Sequence, residues 1–447
     1  MSFKSSLYML RGHLAIPAQM RQVKEAISHD KLSADEIREM NWRKRLDMLR
    51  FAYENSPYYE KLYKDAGLEP GDVKTEEDWA KVPMLTREAL RENFETIKVR
   101  HPQSTYKMHT TGGSTGQPSR VLKDDSFSSR GMNWRAKYSW AGVNLGENSA
   151  TIMRAHPASV KAKLYQFFSH FPAHNLFLDA GDMTDDTMRK FLGQWQRYQP
   201  KSVTSYVGGI HQLALFCLEH GIVVPSPEAI FTVAAPLYPI VKNDIRRVFG
   251  CPVFDEYVAT EAHPMAGQCR CLAESGSCNL HVHSDYRHLE FVDDHGAPKP
   301  IGEYGDTLVS DLGDRVFPIV RYRIGDRGSY IAGKCSCGLP YPLMGPVHGR
   351  SFDFISLEHG RLAGECWATA FDNCLNAVHN FQIHQFADKS VSLSVVLNKN
   401  YPEADRRVRE VAADLQRQLG RIPLTVKYED FIPHDRGKIK YIISEAR

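Results

Sequence analysis

Apolar positions recur at spacings near 3.6 between residues 35 and 66. Ile37, Met40, Leu46, Met48, Leu49, Ala52 and Tyr53 mark one face, with charges between them. This period predicts an amphipathic helix. Ser56-Pro57 interrupts it, and Tyr58 to Ala66 predicts a second short helix closed by Gly67. Thr75 with Asp78, and Thr86 with Glu88, read as helix starts. From about residue 105 short apolar runs alternate with helical stretches and glycine-rich turns, the alternation of a layered α/β domain.

Ser202 to Tyr206 predicts a strand, Gly208-Gly209 a turn, and His211 to His220 a helix ended by Gly221. Ile230 to Ala234, a helix over Ile240–Phe249 ended by Gly250, and a strand over Val253–Tyr257 repeat the theme. Residues 287–293, 304–310 and 315–323 predict antiparallel strands. After Gly349 the pattern resets. Val391 to Leu397 alternates like a half-buried strand, Glu403 to Leu419 predicts an amphipathic helix ended by Gly420, and Leu424 to Tyr428 a further strand. The expected division is a large α/β domain over residues 1–348 and a small α+β domain over 349–447.

Composition narrows the function classes. With 447 residues, 42% hydrophobic and 24% charged, the chain has the balance of a soluble globular protein with a large core. Lys plus Arg is 56 against 53 Asp plus Glu, and this near-neutral total argues against a nucleic-acid binder. No run of ~18 apolar residues predicts a membrane span. Arg11 and His13 break the first apolar stretch, so no signal peptide is expected and the expected location is the cytoplasm. Of the nine cysteines, Cys269, Cys271 and Cys278 cluster, as do Cys335 and Cys337. In a chain without a signal peptide, two close-spaced clusters point to a metal before disulfides.

Five segments carry candidate chemistry. Thr110-Thr111-Gly112-Gly113-Ser114-Thr115-Gly116-Gln117-Pro118 has glycines that free the backbone to wrap an anion and hydroxyls that donate to phosphate oxygens. It lacks the Lys-Ser/Thr of a Walker A loop. Asp255 to Glu261 ends a predicted strand with an aromatic ring, a hydroxyl and a carboxylate, a set that can meet a base, a phosphate and Mg²⁺. Arg321-Tyr322-Arg323-Ile324-Gly325-Asp326 places a carboxylate after a glycine turn, where it can accept ribose hydroxyls. Gly349-Arg350-Ser351-Phe352-Asp353 and Gly437-Lys438-Ile439-Lys440 complete the series. Each alone also fits a plain loop, strand end, hairpin turn or solvated basic tail.

Taken in order, the five segments resemble the adenylate-forming (acyl-CoA synthetase-like) superfamily, whose motifs read T-[ST]-G-[ST]-T-G-x-P, Y-x-x-T-E, Y-R-x-G-D, G-R and a late G-K. RLDMLRFAYENSPYYEKLYKDAGLEP, VPMLTREALREN, Ala234-Ala235-Pro236-Leu237 and GKIKYIIS are similar to the phenylacetate–CoA ligase branch and its capsule-biosynthesis-type (CapK-like) relatives. The resemblance implies a large layered α/β domain with a small mobile α+β lid. It implies that residues 110–116 hold the ATP β- and γ-phosphates, that Ala235 and Pro236 with Tyr257 flank adenine, and that Thr260 contacts the α-phosphate. By the same resemblance Glu261 holds Mg²⁺, Asp326 and Arg350 bind the ribose, and Lys438 reaches the reacting carboxylate and α-phosphate. Tyr206, Val207 and Ile210 are the implied acyl-pocket residues. His156, His211 and His263 are weaker pocket candidates, since a single histidine is more often structural.

The branch also implies a structural zinc, with Cys271, Cys278, His281, Cys335 and Cys337 as the candidate ligands; the residues leave open which of Cys269, Cys271 and Cys278 takes part. The implied activity is ATP-dependent carboxylate activation, then acyl transfer to coenzyme A, on an aryl or arylacetic acid; a homodimer is compatible with this. The chain departs from the pattern at Phe352, where the family carries an acidic hinge residue. Residues 358–371 lack the usual Gly-Val-x-Pro turn. Two alternatives therefore stand: transfer to an amine or carrier-protein thiol, and a catalytically silent nucleotide-binding protein.

Overall fold

The computed structural model describes residues 3–110, 119–124, 130–153, 171–348, 354–358, 361–363, 370–371, 374, 377–432 and 442–446. Two compact units divide the chain: one chiefly of residues 6–145 and 256–347, the other chiefly of 146–255 and 348–447. A seam falls at Val347/His348, beside the expected 348/349 boundary, and further seams fall at 145/146 and 255/256.

In the first unit, Ser33 starts the helix Ala34–Asn55 through a capping box with Glu36. This reciprocal pair satisfies amides that the first turn leaves without partners. Pro57 cannot continue that helix but suits the first turn of the next, Pro57–Asp65. Thr75 caps Glu76–Ala80 through a box with Asp78. Thr86 caps Arg87–Glu92 by accepting from the Ala89 amide. Helices Phe3–Ala15 and Pro17–His29 precede these and were not predicted. Met48, Leu49, Tyr59, Tyr63, Trp79 and Leu85 pack with Val309, Phe317, Ile319 and Tyr322 in one apolar core.

Three strands, Arg287–Val292, Gly305–Asp311 and Tyr322–Gly328, form an antiparallel sheet in that order. The first two match the expected positions. The third is displaced from 315–323, because its backbone finds partners off the ladder. Asp314 Oδ1 accepts from the Val316 and Phe317 amides at 2.9 and 3.0 Å, Pro318 has no amide to give, and Arg321 is left-handed at φ 47°. Pairing resumes at Tyr322, and the register then slips. Leu308 faces Arg323 while Asp306 faces Arg327, so Ile324-Gly325-Asp326 bulges with Gly325 at φ 92°. Asp326 thus sits in a bulge, not in a hairpin turn.

The second unit holds a parallel sheet, in the order Asn175–Asp179, Ser149–Met153, Ser202–Tyr206, Ala229–Val233 and the start of Val253–Ala259. Helices Asp185–Tyr198, Val207–His220 and Pro239–Phe249 connect its strands. The helix expected from His211 begins earlier, at Val207, and takes in Gly208-Gly209. A Cβ on Gly209 would meet Ile152 Cγ2 at 3.0 Å, so the glycine allows the helix to lie close on the strand. Toward the C-terminus, four strands run in the order Leu424–Tyr428, Val391–Leu397, Val378–Gln385, Ile442–Ser444, with the helix Ala404–Leu419 between the second and first. Only the central pair is antiparallel.

Candidate active site

Strand Val253–Ala259 ends in the turn Thr260–Ala262, and the bulge at Asp326 lies beside it. The Tyr257 hydroxyl donates to Asp326 Oδ2 at 2.8 Å. Burial, then the facing Asp326 carboxylate, holds the Tyr257 phenol well above its ordinary pKa, so it remains a donor. The Tyr322 hydroxyl donates to Glu261 Oε1 at 3.2 Å. Two segments distant in sequence therefore put Tyr257, Glu261 and Asp326 in one place, with Thr260 half-buried next to them.

Arg87 belongs to this group and was not anticipated. Its guanidinium donates to the Ile324 carbonyl at 2.9 Å. Burial disfavours its charge, but Tyr322, Glu261 and Asp326 face it and raise its pKa. The sequence Thr86-Arg87-Glu88 carries only a helix-start signal; nothing local says that this arginine reaches a bulge more than two hundred residues away.

Thr110 ends the strand Tyr106–Thr110 and pairs with Arg120 of the antiparallel strand Arg120–Asp124. In sequence the expected phosphate loop falls between these two paired strands. Residues 111–116 themselves lie outside the described residues, as do His156, the Gly349–Asp353 segment with Arg350 and Phe352, and Lys438 and Lys440.

In the other unit, Ala235 and Pro236 are half-buried after the strand Ala229–Val233, and Ala234 is left-handed at φ 73°. Such backbone in a non-glycine residue is sparsely populated and recurs at ligand sites. Tyr206 is half-buried at the end of its strand. Val207 and Ile210, expected as pocket walls, are fully buried in the apolar core, because they start the helix that packs back on the sheet. His211 is also buried, and its Nε2 lies 3.2 Å from Asp244 Oδ2. The histidine is thus a core residue, its Nε2 paired and its Nδ1 buried without a hydrogen-bond partner among the described residues. His263 is held neutral, its pKa pushed down to about 3 by burial and then by Lys123 and Arg287.

The cysteine clusters converge. Cys269, His281, Cys335 and Cys337 place their ligand atoms within 4.8 Å of one another. Cys269 Sγ lies 3.7 Å from Cys335 Sγ, and Cys337 Sγ lies 3.3 Å from His281 Nε2. Sulfurs on a tetrahedral zinc stand about 3.8 Å apart, so three thiols and an imidazole at these spacings fit that ion. The expected Cys271 and Cys278 are outside the group. Cys269 precedes the short helix Arg270–Glu274 and is buried, whereas two residues later Cys271 points to solvent.

No family profile matches the chain. Protein CapK of Staphylococcus aureus is 24% identical over 287 residues, which cover 63% of this chain and 60% of CapK, less than two thirds of that relative. The phenylacetate-coenzyme A ligase of Escherichia coli K12 is 25% identical over 351 residues, 75% of this chain and 74% of the ligase. The chain is thus similar to the phenylacetate–CoA ligase-like branch of the adenylate-forming superfamily. Among solved structures, a 2-hydroxyisobutyryl-CoA ligase in the postadenylation state superposes with a TM-score of 0.74 at 16% identity, over 93% of this chain and 91% of that one. An adenylate-forming ligase fold follows, with its large α/β part and its C-terminal α+β domain. Among the described residues, no helix is long and apolar enough to cross a membrane.

Proposed function

We propose that the chain is an AMP-forming acid–CoA ligase. A carboxylate attacks the α-phosphorus of Mg·ATP, giving an acyl adenylate and pyrophosphate, and the acyl group then passes to coenzyme A. The observation that carries this reading is the meeting of Tyr257, Glu261 and Asp326 at a strand end and a bulge, in a chain whose relatives include phenylacetate-coenzyme A ligases.

The residues divide the work by charge. Asp326, oriented by the Tyr257 hydroxyl, accepts from the ribose hydroxyls together with Arg350. Tyr257 stacks near adenine with Ala235 and Pro236. Residues 110–116 donate to the β- and γ-phosphates, Thr260 to the α-phosphate, and Lys438 meets the carboxylate as it approaches. Bringing anion to anion needs such preorganised donors, since each is worth more in a dry site than in water. Glu261 would hold Mg²⁺, which neutralises phosphate charge when bound. Cys269, His281, Cys335 and Cys337 would hold a zinc, whose closed ligand set leaves no open position for chemistry.

The substrate class is an aryl or arylacetic acid, and the cytoplasm is the expected site of action. A second acceptor, an amine or a carrier-protein thiol, is favoured by Phe352 at the position where the family carries an acidic hinge. Pyrophosphate exchange against a panel of carboxylic acids, each repeated with and without coenzyme A, tests the reading. Exchange with an aryl acid followed by thioester formation is the expected result. Exchange with no acid in the panel would overturn it.

A further inference from the structure

Lys123 is buried, at 5% exposure, on the strand Arg120–Asp124, which pairs with Tyr106–Thr110 and follows the expected phosphate loop in sequence. A buried ammonium is costly unless paired. Its two carboxylate partners are distant: Asp311 Oδ2 at 3.6 Å and Asp314 Oδ2 at 3.9 Å. Its short bond goes elsewhere. Nζ donates to the backbone carbonyl of Glu261 at 2.6 Å.

The same turn is held twice more. Arg287, fully buried and paired to Asp311 Oδ1 at 2.8 Å, donates its Nε to the Ala262 carbonyl. Tyr322 holds the Glu261 carboxylate itself. The residue that follows, His263, is left-handed at φ 56°. Strain of this kind persists where the surroundings over-determine the backbone, and two buried cations on successive carbonyls supply that.

We propose that Lys123 is a positioning residue for nucleotide activation: it ties the strand Arg120–Asp124 to the turn that carries Glu261 and so fixes where that carboxylate meets Mg·ATP. The inference rests on Glu261 as the Mg²⁺ ligand. Lys123 touches neither substrate nor metal. It acts through the position of Glu261, and a displacement of about 1 Å at such a group costs on the order of 10²-fold in rate.

The test is calorimetric binding of ATP with Mg²⁺ and of ATP in chelator, on wild type, Lys123→Met and Tyr322→Phe, with a thermal melt of each. Wild type should bind ATP more tightly with Mg²⁺. Lys123→Met should lose about tenfold of that Mg²⁺-dependent gain while its affinity for metal-free ATP stays, an effect a displaced ligand predicts. Tyr322→Phe, which removes one hydroxyl only, should lose a smaller part in the same sense. It decides the matter if Lys123→Met does not fold. Variants that keep the whole Mg²⁺-dependent gain, or that lose affinity for ATP equally with and without Mg²⁺, overturn the inference alone. A wild type that gains nothing from Mg²⁺ overturns the reading of Glu261, and the inference with it.

Discussion

A lysine aimed at the charge developing between a carboxylate and an α-phosphate stabilises the transition state more than the ground state. Lys438→Ala should therefore lower pyrophosphate exchange by ~10²–10³, the typical cost of removing one such donor. The same variant should still transfer the acyl group from a supplied acyl adenylate, measured as thioester formation. Lys440→Ala should leave both steps near wild type, as a solvated charge would. Equal loss in both half-reactions, or damage from Lys440→Ala, would remove Lys438 from its role. Tyr257 and Asp326 were legible before the fold because each sits in a short motif with a fixed spacing. Arg87 and Lys123 were not. Their partners, Ile324 and Glu261, are reached only through tertiary packing.

At the scale of single elements, the antiparallel sheet of the first unit leaves no room at Gly305. A Cβ there would meet the Val292 carbonyl oxygen at 2.5 Å and its nitrogen at 2.7 Å. Both are backbone atoms that cannot swing aside. Gly305→Ala should cost about 1–3 kcal/mol or more, the usual range for overpacking, read as a lower urea midpoint. The neighbouring strand carries a pH effect. His288 lies edge-on to Trp79, 3.3 Å from Arg45 Nη1 and 3.9 Å from the Glu290 carboxylate. Burial first, then Arg45 and Arg321, holds its pKa well below the ordinary value. The unfolded chain takes up a proton as pH falls through about 6.5, while the folded chain does not. Its contribution is therefore full above that pH and is lost as pH falls toward the folded value, by at most ~1.4 kcal/mol per pH unit. Urea midpoints across this range should decline less steeply for His288→Gln than for wild type, and equal slopes would rule the histidine out.

Across the whole molecule, the cysteine–histidine group joins segments more than sixty residues apart in sequence, from Cys269 to Cys337. A bound zinc would close that loop and add its binding energy to folding. Elemental analysis should find about one zinc per chain, by the closed-site argument. Cys269→Ser and Cys337→Ser should each lower the melting temperature and the zinc content, whereas Cys271→Ser should change neither. A metal-free preparation with full stability would refute the staple, and loss of zinc in Cys271→Ser would restore the ligand that the geometry leaves out.

Local chemistry determined much of this protein. The 3.6-residue period, the Ser and Thr caps, the glycines past helix ends and the alternation over Val391–Leu397 depend on neighbours within a turn or two, so they could be read from the chain. The ordered motifs likewise singled out Tyr257, Glu261 and Asp326. Tertiary structure alone decided the rest. It set the third strand at Tyr322–Gly328, where Tyr322 and Arg323 pair with Val309 and Leu308 of the neighbouring strand. It turned Val207 and Ile210 into core, since a helix packing on a sheet buries its first turn. It chose Cys269 over Cys271 and set Lys123 against the Glu261 carbonyl. Each of these is a choice among partners distant in sequence, and only the energy of burying charge and apolar surface together in three dimensions selects among them.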